Sequence, residues 1–350
     1  MTVHFTLLFK SLYKRMITAT DDRAKAILQW LTNDLNLDIT QFETASSDAS
    51  FRRYFRTQHQ QQHYIVMDAP PDKEDTAPFI KVAQLFAQAQ VNVPDIIAQN
   101  NQQGFLLLED FGPLCLLDKL NATTAEVLYK DALDSLITLQ KNVDIHSCEL
   151  PHYTSELLQT ELQLFSDWFL QQQCSLTLNN DQKDIINSSD AFLVSSALQQ
   201  TQVCVHRDYH SRNLMYLSAK NPGIIDFQDA VIGPVTYDAV SLLRDCYINW
   251  PDEQIESWLL PYYQQLKQAS LVNCDFDQFK RDFDLMGIQR HLKAIGIFSR
   301  LNIRDGKSAY LNDIPRTLNY VINISQHYPA LQEFHNFLVD SVLPASKNVL

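Results

Sequence analysis

Cys204-Val-His206-Arg-Asp208-Tyr-His210-Ser-Arg-Asn213-Leu-Met215, followed by Gly223-Ile-Ile-Asp226-Phe227, decides how the rest of this 350-residue chain is read. Asp208 begins a short loop, Asn213 lies five residues on, and Asp226 follows the apolar pair Ile224-Ile225. Phosphoryl transfer needs one carboxylate to accept a proton from the attacking hydroxyl. It also needs a carboxamide and a second carboxylate to hold the magnesium ions that neutralise the ATP phosphates. A single Asp after an apolar run ordinarily just ends a strand. All three groups in this order and spacing point instead to a phosphoryl-transfer site, with Asp208 as base and Asn213 and Asp226 as metal ligands.

Outward from that segment, the chain is long enough to bury a sizeable core and suits two lobes better than one. Apolar residues make up 45% and charged residues 20%, an ordinary globular balance. Lys and Arg number 28 against 41 Asp and Glu, a net charge of −13. Such a surface repels phosphate backbones and anionic lipid, so neither nucleic acid nor a membrane is an expected partner. The six cysteines are scattered with no C-x-x-C pair, which suggests reduced thiols in a cytoplasmic enzyme rather than a zinc knuckle or disulfide framework. No apolar run approaches a membrane span. At the start, Val3-His-Phe-Thr-Leu-Leu-Phe9 precedes Lys10, Lys14 and Arg15, the reverse of a secretory signal. Met16 is the expected functional start and residues 1–15 an upstream extension, with a weak amphipathic anchor as the alternative.

Residues 21–35 carry apolar positions at helical period, with Asp21 or Asp22 as candidate cap. Ser50-Phe-Arg-Arg-Tyr-Phe-Arg56 and His63-Tyr-Ile-Val-Met67 suggest an antiparallel pair. Thr76-Ala-Pro78 starts a helix with Phe79, Val82, Ala83 and Phe86 on one face, and Phe105-Leu-Leu-Leu108 is a further strand. After Gly112, helical periodicity dominates: 123–140, 154–170, 181–198, 252–268 and 283–298, with short strands near 203–205, 214–217 and 223–226. The expected fold class is α+β, with a small lobe over 1–110, made of an antiparallel sheet and a helix, and a larger helical lobe over 111–350.

Two absences shape the nucleotide side. The seven glycines begin only at Gly104, so the small lobe has no G-x-G-x-x-G loop and no Walker A sequence. Ser46-Ser47-Asp48-Ala49-Ser50-Phe51 is the available turn; its N–H groups and hydroxyls, Ser47 among them, can cradle phosphate or merely make a hairpin. Kinases also place a lysine on the third strand to pair with the α/β-phosphates, yet Tyr64-Ile-Val-Met67 offers Met67 there. A hydrogen bond to a charged group contributes about 1.5–3 kcal/mol, so something should compensate. Arg52 and Arg53 flank the turn; strand alternation lets only one point inward, and Arg53 is the candidate.

The order H-R-D-x-x-x-x-N with a later Asp is that of the kinase catalytic loop and metal aspartate. The form Asp208-Tyr-His210-Ser-Arg-Asn213 resembles the small-molecule version found in the aminoglycoside phosphotransferase and choline kinase superfamily, which shares the protein-kinase fold. Within it, the chain looks like the bacterial kinases acting on the anomeric position of N-acetylated amino-sugars. Asp48–Arg56, Val66–Pro71, Phe105–Leu108, His206–Met215, Ile225–Pro234, Tyr237–Tyr247, Asp284–Lys293 and Arg304–Lys307 carry the likeness, over roughly residues 20 to 325. Met67 matches that family's own pattern. The resemblance implies a protein-kinase-like two-lobe fold, ATP and Mg²⁺ as cofactors, and phosphorylation of C1 of N-acetylmuramate and N-acetylglucosamine in peptidoglycan recycling; the expected state is a monomer. It implies a hinge at Leu108-Glu109-Asp110-Phe111 meeting adenine through its backbone, and a supporting role for His206 and Asp238. For the sugar it leaves Gln228, Asp229, Arg244, Arg290 and His291 as candidates; an arginine would suit the lactyl carboxylate of N-acetylmuramate. Kinase action on another small alcohol, of aminoglycoside or choline type, and a non-catalytic pseudokinase remain the alternatives.

Overall fold

A computed structural model of the protein describes residues 21–47, 51–347 and 349; residues 1–15 and 48–50, which carry the N-terminal extension and part of the expected phosphate turn, lie outside them. The chain divides into two compact units. The first takes the described residues up to Ala87 together with Asn92–Pro113 and Gly223–Gln228; the second takes Gln88–Val91, Leu114–Pro222 and Asp229 onward.

In the first unit, α1 (Asp22–Gln29) is capped by Asp21, whose carboxylate accepts from the Ala24 N–H, and it runs on into a wider turn over Trp30–Asp34. Its periodic face, Ala24, Ile27, Leu28 and Leu31, is buried. There follow β1 (Gln41–Ser47), β2 (Arg53–His59), β3 (Gln62–Asp68), α2 (Ala77–Gln88), β4 (Ile96–Asn100) and β5 (Phe105–Glu109). The five strands pair antiparallel in the order β1-β2-β3-β5-β4. The expected strand pair is present, but β2 starts at Arg53 and extends to His59, past the polar residues where the sequence suggested a break. Gln60 and Gln61, at φ 47° and 66°, make the two-residue hairpin turn without the usual Asn-Gly signal. Strands β1 and β4 were not anticipated; they are the two edges of the sheet, where pairing on one side only leaves a weak apolar pattern. Phe42 stacks on Phe55 at 4.7 Å and Trp30 meets Phe105 at 5.8 Å, and each such buried ring contributes about 1.5–3 kcal/mol.

The second unit is mostly helical. It contains α3 (Ala125–Asn142), α4 (Ser155–Leu164) with a wider continuation to Gln173, α5 (Asn180–Gln199), β6 (Gln202–Val205) and β7 (Leu214–Met215). Strand β8 (Gly223–Ile224) groups with the first unit; β9 (Val231–Pro234) then pairs antiparallel with β6. Helices α6 (Tyr237–Leu243), α7 (Asp252–Gln268), α8 (Phe276–Asp305) and α9 (Ile314–Ser325) follow, with short helical turns to the C-terminus. The 30-residue α8 is the axis of this unit: Asp275 caps its start and Gly306, at φ 67°, ends it. It was expected only over 283–298, because its first two turns are largely polar. Gly296 lets α8 meet α4 closely, since a Cβ there would lie 2.4 Å from the Leu164 carbonyl carbon. The α+β class and the sheet-plus-helix, then helical, architecture agree with the sequence reading. Among the described residues no helix is long and apolar enough to cross a membrane.

Candidate active site

The catalytic segment leaves β6 and turns sharply at Arg207, which holds φ 78°, a left-handed conformation that L side chains rarely adopt. The turn is held from below. Buried Asp238, at the start of α6, accepts from the backbone N–H groups of His206 at 2.6 Å and Arg207 at 3.0 Å. His206 in turn accepts the Asp208 N–H on Nδ1 at 3.2 Å. The supporting role implied for His206 and Asp238 thus has a geometric basis. Burial pushes the Asp238 carboxyl up to about 7, against the two N–H groups that favour its anion.

Beyond Asp208 the loop closes on itself. The His210 N–H donates to the Asp208 carbonyl at 2.9 Å, and the Asn213 carboxamide donates to the same oxygen at 3.1 Å. Asp245 accepts from the Ser211 N–H at 2.9 Å and its hydroxyl at 2.5 Å, fixing the middle of the loop. Asp208 is thereby aimed from a rigid frame into a cavity of about 150 Å³ within the second unit. His210, Arg290, Lys293, Tyr247, Phe298 and Tyr310 share its wall. Burial alone would raise the Asp208 carboxyl; Lys293, then His210, Arg290 and His206, outweigh it and hold the group below the ordinary carboxylate range. Asp208 is therefore an anion at neutral pH. Burial drives His210 the other way, toward its neutral form.

Lys293 and Glu161 were missed as site residues. Glu161, from α4, accepts from Lys293 at 3.0 Å and from Arg207 at 2.5 Å, so one buried carboxylate ties the catalytic loop to α8. The Tyr237 hydroxyl accepts from Lys293 at 3.1 Å. A signal was present: Arg290-His291-Leu292-Lys293 places three basic residues within an α8 stretch that is otherwise core, and solvated helix faces do not look like that.

The other predicted sugar contacts are dispersed. Arg244 pairs with Asp284 at 2.7 Å and lies over the Phe283 ring, while His291 donates from Nε2 to the Arg244 carbonyl at 2.8 Å and stacks on Tyr320. Neither lines the cavity. Asp229 is exposed. Gln228 donates to the Asp226 carboxylate at 2.9 Å and keeps its own Oε1 buried without a hydrogen-bond partner.

Asp226 belongs to the 223–228 stretch of the first unit and adopts φ 64°, a second left-handed turn at a predicted functional position. Its neighbour Phe227 is fully buried against Phe79 at 4.9 Å and Phe86 at 5.7 Å. The Ile224 N–H donates to the Asn92 carbonyl at 2.8 Å, and Gly223 lies so close to Phe111 that a Cβ would sit 2.4 Å from its ring. The segment after β5 is braced by Arg56, which pairs with Asp110 at 2.6 Å, and by the Gly112 N–H on the same carboxylate. Glu109 is exposed at the end of β5, its N–H donating to the Asp95 carbonyl at 2.9 Å. Ser47 ends β1 opposite Arg53. The Arg53 guanidinium is taken by Asp68 at 2.5 Å and by Asp21, and Arg52 pairs with Glu74 at 3.3 Å, so both arginines beside the turn are held by carboxylates. Met67, in the slot of the kinase lysine, is fully buried.

Among the described residues no cluster of three His, Cys, Asp or Glu side chains could hold a metal alone. Magnesium does not ask for one: it binds one or two carboxylates, keeps waters and takes substrate phosphates. An Asn and an Asp, both hard oxygen donors, fit that requirement.

Comparison with known proteins agrees with this geometry. The model of the phosphotransferase enzyme family matches residues 41–270. An N-acetylmuramate/N-acetylglucosamine kinase of Pseudomonas putida is 42% identical over 331 residues, covering 91% of this chain and 97% of the relative. One of the same name from Pseudomonas aeruginosa is 47% identical over 295 residues, 84% of this chain and 86% of its own length. Among solved structures, the GDP complex of aminoglycoside 2′-phosphotransferase-IIIa superposes with TM-score 0.59 at 15% identity, covering 88% of this chain and all of that one. A choline kinase from Streptococcus pneumoniae gives 0.58 at 11%, covering 86% and 100%. At such identities these structures speak for the fold, the protein-kinase-like architecture expected from the catalytic motif. With the family model spanning the small sheet, the catalytic loop and Asp226, and with full-length relatives above 40% identity, the chain belongs to the phosphotransferase enzyme family.

Proposed function

We propose that this protein transfers the γ-phosphoryl group of ATP to the anomeric C1 hydroxyl of N-acetylmuramate and N-acetylglucosamine, giving the α-1-phosphate for the reuse of cell-wall sugars in the cytoplasm. The observation that carries this reading is the near full-length identity to the two Pseudomonas kinases of that name. The cavity supports it. Its wall carries Arg290 and Lys293, which repel a cationic aminoglycoside or choline and tolerate a neutral or anionic sugar.

Asp208 does the central work. Kept anionic and aimed by the loop bonds, it accepts a hydrogen bond from the sugar hydroxyl and takes its proton as the bond to phosphorus forms. A hemiacetal hydroxyl is more acidic than an ordinary alcohol, so orienting it counts for more than deprotonating it. The aromatic wall of Tyr247, Phe298 and Tyr310 offers flat apolar surface to one face of a pyranose. Asn213 and Asp226 would hold Mg²⁺, which when bound neutralises charge on the phosphates.

The test follows ADP release from purified protein with ATP and Mg²⁺ against each sugar, an aminoglycoside and choline, with phosphorus NMR of the product. Turnover with the two sugars and phosphate on C1 is expected; turnover with an aminoglycoside or choline alone refutes the reading, and none with any acceptor favours a pseudokinase. Asp208→Asn should lower turnover by about 10²–10⁴-fold while nucleotide binding persists.

A further inference from the structure

Arg290 stands apart from Lys293, Arg207 and Arg244 in the same unit. It is 6% exposed, yet among the described residues it makes no ion pair with a carboxylate. Its side-chain hydrogen-bond partner is the Cys246 sulfur at 3.8 Å, a weak acceptor. Lys293 and Arg207 share Glu161, and Arg244 has Asp284. Asp208 and Asp245 attract this guanidinium through space, but with a sulfur as its hydrogen-bond partner it keeps donors for an arriving anion, and burying a charge so weakly bonded is unfavourable. The same cavity, of about 150 Å³, holds Asp208.

The two proposed sugars differ in one charged group: N-acetylmuramate carries a lactyl ether ending in a carboxylate where N-acetylglucosamine has a hydroxyl. We infer that Arg290 binds the lactyl carboxylate of N-acetylmuramate while Asp208 engages C1, so that this side chain sets the preference between the two sugars. The inference rests on the amino-sugar reading above. A guanidinium presents paired donors that match a carboxylate bidentately, which neither the committed Lys293 nor the neutral His210 can do.

The test compares kcat/KM for N-acetylmuramate, its uncharged methyl ester and N-acetylglucosamine in the wild type, Arg290→Lys and Arg290→Met, with circular dichroism and ADP binding as controls on folding. The wild type should favour the acid over the ester by about 10- to 100-fold. Arg290→Met should collapse that ratio to within about threefold, and Arg290→Lys, which keeps charge but loses the fork, should fall between. An unchanged acid-to-ester ratio in Arg290→Met overturns the inference. A parallel fall for all three sugars also overturns it, marking Arg290 as a clamp on the transferred phosphoryl group. Should Arg290→Met fail to fold, an unchanged ratio in Arg290→Lys refutes the inference and a reduced one supports it. If the wild type turns over none of the three, the amino-sugar reading itself falls.

Discussion

Glu161 offers the sharpest test of how the catalytic loop is held. The side chain is 4% exposed, and its two oxygens take Arg207 at 2.5 Å, Lys293 at 3.0 Å, Gln289 at 3.2 Å and the Tyr153 hydroxyl. Burial would raise its carboxyl, but Lys293 and Arg207 pull it below the ordinary range, so it is an anion serving two cations. Glu161→Gln keeps the shape, deletes the charge and turns one oxygen into a donor facing other donors. Breaking a buried pair from one side costs about 3–5 kcal/mol, because the partner charge stays behind uncompensated. Here two charges stay behind, although Arg207, with 19% of its side chain exposed, can relax toward water. Urea unfolding followed by far-UV circular dichroism should therefore show a loss in that range. Adding Lys293→Met removes one of the stranded charges, so the double variant should lose less than the sum of the single losses, by about 0.5–3 kcal/mol of coupling. A loss under about 1 kcal/mol for Glu161→Gln, or strict additivity in the double variant, would refute the network.

Three further predictions concern α8. Burial pushes His291 down to about 3, so the folded ring refuses a proton that the unfolded ring binds below about pH 6.5. Its contribution is complete above that pH and is lost as pH falls toward 3, at about 1.4 kcal/mol per pH unit. Urea midpoints between pH 6.5 and 4.5 should fall more steeply for the wild type than for His291→Phe; identical slopes would sink the idea. Gly296→Ala puts a Cβ within 2.6 Å of three Leu164 atoms, so overpacking of about 1–3 kcal/mol should outweigh the roughly 1 kcal/mol gain in helix propensity. Gly287→Ala, whose new Cβ would first meet Arg244 Nη1 at 3.4 Å, should be neutral or stabilising; thermal melts of the two variants beside the wild type check both.

The reaction class was legible in Asp208, Asn213 and Asp226 because phosphoryl transfer fixes both residue type and spacing, and a short loop brings two of them together without help from distant chain. The cavity beside Asp208 was less legible. Arg244, Arg290 and His291 look alike on paper, and only packing separates a guanidinium held by Asp284 from one facing a cavity. Glu161 lies 46 residues before Arg207, and nothing local to either announces their contact. In the first unit β2, β3 and β5 were visible as apolar runs, while β1 and β4 were hidden by the half-solvated character of sheet edges.

The stretch from Gly223 to Gln228 interrupts the second unit in sequence but folds with the first. A shortened chain beginning at Leu114 would keep Phe227 while discarding Phe79 and Phe86, and keep Gly223 while discarding Phe111. It would hold an intact Asp208 loop and a stranded aromatic ring beside Asp226. The helical unit therefore cannot be cut out whole by dividing the gene at one point, because the second unit's own sequence is interrupted by a stretch that folds with the first.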